Sequence, residues 1–158
     1  MVCLPGDGGK PGWRGSCMCL EQGAILEEHT SASEPVEGFR VLIVDDEDLI
    51  RWSLKEGLSA RGHTVIEADR GRAALEGCLN GVDLALLEFR LPDTDGLELA
   101  AVIRRSNPAC RVILMTAHGS SELTQQAAER DVFRVVDKPF DVTEVLDLVE
   151  RALHATAS

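Results

Sequence analysis

The chain has 158 residues, 44% hydrophobic and 27% charged, which is room for one domain with a sizeable core and ordinary for a globular protein. Its formal net charge of -11, from 27 Asp and Glu against 16 Lys and Arg, argues against direct nucleic-acid binding, which needs clustered cations. No apolar stretch approaches a membrane span, so no membrane partner is expected, and an odd count of five cysteines fits a reducing cytoplasm better than a disulfide framework.

Residues 1–38 read as a disordered leader and linker. Pro5-Gly6-Asp7-Gly8-Gly9, Pro11-Gly12 and Gly15-Ser16 punctuate its start, Thr30 to Pro35 forms a linker, and a short helix is expected around Gly23 to Glu28. Cys17-Met18-Cys19 has no second ligand pair to complete a zinc site and reads as an exposed pair in that leader. From Phe39 the pattern becomes an alternation of strands and helices, and the folded domain is expected to span residues 39–155, with 156–158 as a tail.

Arg40 to Val44 is a β-rich apolar run ending in acids. Ile50, Leu54 and Leu58 recur at helical spacing, with Gly62 as the stop. His63 to Glu67 reads as a second strand, followed by a helix through Ala73, Ala74 and Leu75. Asp83 to Leu87 is a third strand, and Leu97 to Arg105 a third helix that ends before Asn107-Pro108. Arg111 to Met115 is a fourth strand, Glu122 to Glu129 a fourth helix, and Val132 to Val136 a fifth strand. The last helix starts at Asp141, with Glu144 placed as a capping-box partner, and buries Val142, Val145, Leu146 and Val149. Five such units predict an α/β fold, a parallel sheet covered on both faces by right-handed crossovers. Cys78 and Cys110 fall within this region and read as small core or surface thiols.

In open α/β sheets the ligand site lies beyond the carboxyl ends of the strands. Those ends carry Asp45-Asp46, Glu88, Thr116-Ala117 and Asp137-Lys138-Pro139, so chain-distant polar groups should meet in one crevice. Carboxylates crowded together raise each other's proton affinity unless a cation joins them, and Mg²⁺ suits an open oxygen-lined site. Lys138 adds positive charge and Thr116 a hydroxyl, an arrangement suited to acyl-phosphate chemistry on a carboxylate. His118 reads as a solvated loop residue, and Asp93-Thr94-Asp95-Gly96 as a turn, since the remainder of a calcium loop is missing.

Val44-Asp45-Asp46-Glu47, Leu87-Glu88-Phe89-Arg90-Leu91-Pro92-Asp93-Thr94-Asp95-Gly96, Met115-Thr116-Ala117-His118 and Asp137-Lys138-Pro139-Phe140 together resemble the receiver domain of bacterial two-component response regulators. Ile50-Arg51-Trp52 and Met115 to His118 look most like receivers attached to enhancer-binding transcription activators. The resemblance implies a flavodoxin-like fold with strand order 2-1-3-4-5. It puts Asp45, Asp46, Glu88 and the Arg90 backbone carbonyl at the Mg²⁺ positions, and Glu88 at the phospho-acceptor position. Thr116 and Lys138 would contact the phosphoryl group, the Lys138-Pro139 bond would be cis, and Pro92 and Gly96 would shape the loop after the acceptor. The implied partners are proteins, a histidine kinase or a downstream effector, and the chain would be a monomer or weak dimer through its fourth helix, fifth strand and fifth helix.

Two residues depart from the family pattern. Glu88 stands where the family places an aspartate, and Val135 where it commonly places a switching aromatic. The extra methylene carries the carboxylate roughly 1.5 Å farther out. Three readings of Glu88 stay open. It pairs with Lys138 and Thr116 and partly mimics the phosphorylated state; it neutralises Lys138 and locks the site off; or it is still phosphorylated, against a misplaced attack geometry. The expectation is a stand-alone pseudo-receiver, not an enzyme, acting by protein contact, since no output domain follows Leu153; the alternative is a phosphorylation-competent response regulator. A haloacid-dehalogenase-type hydrolase would want Asp at Glu47, and a flavodoxin a phosphate loop after the first strand, which is absent.

Overall fold

Continuous β-branched and aliphatic runs form strands here because both of their faces can be buried at once. The computed structural model describes residues 38–155, where five such strands alternate with five helices. They are β1 (Arg40–Val44), α1 (Asp48–Ala60), β2 (Thr64–Ala68), α2 (Gly71–Gly77), β3 (Leu84–Glu88), α3 (Gly96–Ser106), β4 (Arg111–Thr116), α4 (Ser121–Glu129), β5 (Arg134–Asp137) and α5 (Val142–His154), with a 3-10 turn at Cys78–Asn80. All pairings are parallel and the order is β2-β1-β3-β4-β5, the flavodoxin-like topology expected. The short helix expected near Gly23 to Glu28, the leader, Cys17, Cys19 and the tail lie outside the described residues.

Alternation along each strand divides the core into two layers. Leu42, Val44, Ala85, Leu87, Val112 and Leu114 face one layer, closed by Ala74 of α2, Leu97, Ala100 and Ile103 of α3, and Leu123 and Ala127 of α4. Val41, Ile43, Leu84, Leu86, Ile113 and Met115 face the other, closed by Leu54 and Leu58 of α1 and by Val145, Leu148, Val149 and Ala152 of α5. Right-handed crossovers on an order that reverses after β2 require this division. Helices α1 and α5 approach closely at Gly57, where a Cβ would collide with the Leu146 side chain. Cys78 and Cys110 are both buried free thiols. Burial pushes the Cys110 thiol up to about 12.

Several boundaries differ from the sequence expectation for long-range reasons. Strand β2 begins at Thr64, because His63 is buried with its Nε2 2.8 Å from Glu150 Oε1 of α5. Strand β5 begins at Arg134, not Val132. Asp131 takes a left-handed φ of 55°, and the Val132 N–H turns back to the Ala127 carbonyl to close α4. Helix α5 is capped by the Asp141 carboxylate on the Thr143 N–H at 2.7 Å, not by a reciprocal pair with Glu144, and Val142 is only half-buried while Leu148 is buried. Helix α2 is capped from a distance, with Asp93 accepting the Gly71 and Arg72 N–H groups at 2.8 and 3.0 Å. Those two N–H donors hold the Asp93 carboxyl below the usual range.

Candidate functional site

The sheet register sets the site. Val44 pairs with Leu87, Glu88 with Met115 and Thr116 with Asp137, so Asp45, Glu88, Thr116 and Lys138 lie at or one step beyond the same edge. The Lys138 N–H donates to the Thr116 carbonyl at 2.7 Å, fixing the end of β5 against β4, and the Lys138-Pro139 peptide is cis. Gly96 lets α3 begin directly beneath: a Cβ there would lie 2.6 Å from the Glu88 carbonyl oxygen and 2.7 Å from Leu114 Cδ1. Asp95 caps that helix by accepting the Glu98 N–H at 2.8 Å.

Lys138 is the centre of the cluster. Its ammonium lies 2.6 Å from Glu88 Oε2, 2.7 Å from Asp45 Oδ2 and 2.9 Å from Glu47 Oε1. The Lys138 side chain is 9% exposed, Asp45 0% and Glu88 7%, whereas Glu47 is 60% exposed and closes the cluster from the solvent side. The contact with Glu47 is a directed hydrogen bond. Those with Asp45 and Glu88 are shorter still, charge-assisted contacts from the same ammonium that raise the Lys138 pKa. The other Asp45 oxygen accepts the Glu47 N–H at 2.9 Å, and Glu88 Oε1 accepts the Arg90 N–H at 3.1 Å.

Charge and burial compete at both ends of these contacts. Burial raises the Asp45 pKa above its ordinary value; Lys138 and the Glu47 N–H pull it back, while the Glu88 charge adds to the rise. Burial works against the Lys138 ammonium, but its contacts with Asp45, Glu88 and Glu47 outweigh that and hold its pKa above the ordinary lysine value.

Of the residues singled out in the sequence, Asp45, Glu88 and Lys138 therefore come together. Thr116 is buried beside them, but its Oγ1 accepts the His118 N–H at 3.1 Å, so its hydroxyl oxygen serves the loop after β4. Asp46 is exposed and takes no part in the contacts around Lys138, and His118 is exposed. Arg90 contributes its N–H to Glu88, and a bridge links it to Asp95. Mg²⁺ would need several oxygens open around a shared point. Here the point shared by three carboxylates is filled by Lys138 Nζ, and among the described residues no group of three or more His, Cys, Asp or Glu is arranged to hold a metal ion. As placed, the residues do not fit the ion.

Two participants were not assigned to the site from the sequence. Glu47 binds Lys138 across 91 positions of chain, and Arg51 donates to the Asp45 carbonyl at 2.6 Å while pairing with Asp48. The available signal was the run Asp45 to Asp48 followed by Arg51 one turn into a helix, where i, i+3 neighbours meet.

Comparison with known proteins agrees with this fold. The profile of the response regulator receiver domain matches residues 41–150. The DNA-binding transcriptional regulator NtrC of Escherichia coli (strain K12) is 37% identical over 114 residues, 72% of this chain and 24% of the relative. The chain thus spans about a quarter of the length of that curated relative. A CheY-like receiver domain protein from Methanospirillum hungatei JF-1 superposes with TM-score 0.69 at 28% identity, covering 73% of this chain and 94% of that one. The non-phosphorylated HemR receiver domain from Leptospira biflexa gives TM-score 0.68 at 28% identity, covering 75% and 97%. A profile match over most of the chain, on this sheet order, means that the chain belongs to the response regulator receiver domain family of two-component signalling.

Proposed function

We propose that this receiver domain acts as a pseudo-receiver, passing information through contact with a protein partner while Glu88 stands at the phospho-acceptor position without being phosphorylated. The observation that carries the reading is the 2.6 Å ion pair between Glu88 and Lys138. The longer side chain already reaches the ammonium that a phosphoryl oxygen would need. Attack by Glu88 on a phosphoryl donor requires its carboxylate free and in line, and small displacements of a nucleophile are costly. Glu88 contacts Lys138 but makes no hydrogen bond with the Thr116 hydroxyl, so it has one of the two contacts a phosphorylated side chain would make, and the pinned state is favoured over full mimicry.

The partner is a histidine kinase or an effector, and the proposed contact face is α4–β5–α5. Supporting this face, a groove of about 390 Å³ lies along β5 and α5, lined by Val135, Val136, Phe140, Val145 and Leu148 together with Arg134 and Arg151. No helix among the described residues is long and apolar enough to cross a membrane, which is compatible with a cytoplasmic place of action.

Incubation with a small acyl-phosphate donor and Mg²⁺, followed by intact-mass measurement, tests the proposal. The expected result is no stoichiometric phosphorylation; a label that maps to Glu88 would sink it. The second reading, a phosphorylation-competent site, draws support from Asp45, Glu88, Thr116 and Lys138 sharing one strand edge. It requires labelling that disappears in both Glu88→Gln and Lys138→Ala.

A further inference from the structure

We infer that Lys138 is the resident cation of this site: its ammonium fills the point where Asp45, Glu47 and Glu88 converge, so the centre neither needs nor takes a divalent ion. The inference deepens the pseudo-receiver reading and rests on its assignment of the strand-edge cluster, but it concerns what neutralises that cluster.

The geometry carries it. Three carboxylate oxygens, two from the loop after β1 and one from the end of β3, lie 2.7, 2.9 and 2.6 Å from one nitrogen, and the lysine side chain is nine-tenths buried. Three anions around one ammonium leave a local charge of 1 − 3 = −2, so a second cation would be electrostatically welcome. A divalent ion, however, needs several oxygens at 2.0–2.6 Å from its own centre; here one oxygen of each acid is on the ammonium, and the second oxygens of Asp45 and Glu88 accept the Glu47 and Arg90 N–H groups. Asp46 is exposed, and among the described residues no three acids that include it are grouped to hold a metal ion. Glu88 adds the shortest of the three contacts, one that an aspartate carboxylate at the same backbone position would approach from roughly 1.5 Å farther back.

Glu47 acquires a role of its own. It is the only one of the three acids with a largely exposed side chain, it hydrogen-bonds Lys138 from the solvent side, and its own N–H orients Asp45. It therefore positions Lys138 and Asp45 and forms the outer wall of the lysine site.

The test uses the full chain and Mg²⁺ and Mn²⁺ as probes. Calorimetric titration with Mg²⁺ and paramagnetic titration with Mn²⁺ should show no saturable binding by the native protein at low millimolar metal. Lys138→Met should gain a saturable divalent site, at least about tenfold tighter than any residual binding by the native protein, since the three carboxylates lose their ammonium and can close on the vacated point. Its thermal midpoint should rise with Mg²⁺ while that of the native protein does not. If Lys138→Met is unfolded without metal, Mg²⁺ should restore its circular dichroism, and Lys138→Gln should do the same. Saturable Mg²⁺ binding by the native chain overturns the inference, as does failure of both variants to gain a site. The two readings fail separately: a native chain that binds Mg²⁺ yet takes no phosphoryl label overturns the resident cation alone, whereas labelling of Glu88 in chelator overturns the pseudo-receiver alone.

Discussion

The Lys138–Glu88 contact should be worth several times more than another ion pair of the same length. Lys55 and Glu67 also meet at 2.6 Å, but on side chains 44% and 33% exposed, against 9% and 7% for Lys138 and Glu88. At an effective dielectric near 20, unit charges about 3–4 Å apart attract by roughly 4–5 kcal/mol. When Glu88 is neutralised, Lys138 can shift toward Asp45 and Glu47, so part of that attraction is recovered. A coupling of about 2–3 kcal/mol should remain. The measurement is a double-mutant cycle of Glu88→Gln and Lys138→Met by urea unfolding at pH 7, with Lys55→Met and Glu67→Gln as the matched control. Solvent screening and side-chain entropy should leave the control pair with a far smaller coupling. Equal couplings for the two cycles, or one below about 1 kcal/mol for Lys138–Glu88, would refute the reasoning that burial decides this contact.

Alkaline pH should destabilise the domain in two steps. The Cys110 thiol is raised from 9.0 to about 12 by burial, so the unfolded chain loses that proton first and roughly 2 kcal/mol should be gone by pH 10.5, visible in urea midpoints and reduced by that amount in Cys110→Ala, while the Cys78 thiol, also raised by burial, keeps its own share. Lys138 has its folded pKa raised; its contribution is complete below the ordinary lysine value and is lost as pH rises through the folded one, a step that Lys138→Met should lack. With no tyrosine in the chain, phenol ionisation does not obscure either step. Asp95→Ala should cost about 1 kcal/mol and speed exchange of the Glu98 amide, with Asp95→Asn restoring most of it; unchanged exchange would remove the cap from the account. Gly96→Ala should destabilise by about 1–3 kcal/mol despite alanine's better helix propensity, because its Cβ meets the Glu88 carbonyl; a stabilised variant would show that α3 can retreat from β3.

The sheet was legible because its signals are local. Runs such as Val41 to Val44 and Leu84 to Leu87 are apolar at every position, which only a sheet buried on both faces accommodates, and Pro108 and Gly62 mark helix ends through their backbone constraints. Boundaries failed where a distant side chain intervened. His63 is held by Glu150, 87 positions away, and α2 is capped by Asp93 from a different loop. The site was legible as a meeting place, since strand ends converge whatever their side chains do. Partner choice within it was not. Nothing local tells Thr116 to accept from His118, or brings Glu47 instead of Asp46 to Lys138; those outcomes follow from side-chain reach once the strand edge is assembled.

That selection bears on how such a domain would signal. A site changes a distant face only if its two states differ in free energy of interaction with that face. At this edge Lys138 and Thr116 could transmit a change, and they are joined by a 2.7 Å backbone hydrogen bond across β4 and β5. On the pseudo-receiver reading Lys138 is gripped permanently by its three acids. Val135 lies among the half-buried residues packed against the layer containing Leu114, Leu123 and Ala127. A branched aliphatic there has no polar tip to alternate between buried and solvated positions, and its χ1 is stiff. The α4–β5–α5 face should then hold one arrangement whatever phosphoryl donor is present. Regulation would come from the concentration of the partner or of the chain itself, and partner affinity should be the same with and without an acyl-phosphate donor. A donor-dependent change in that affinity, even without a detectable label, would mean that the edge still switches.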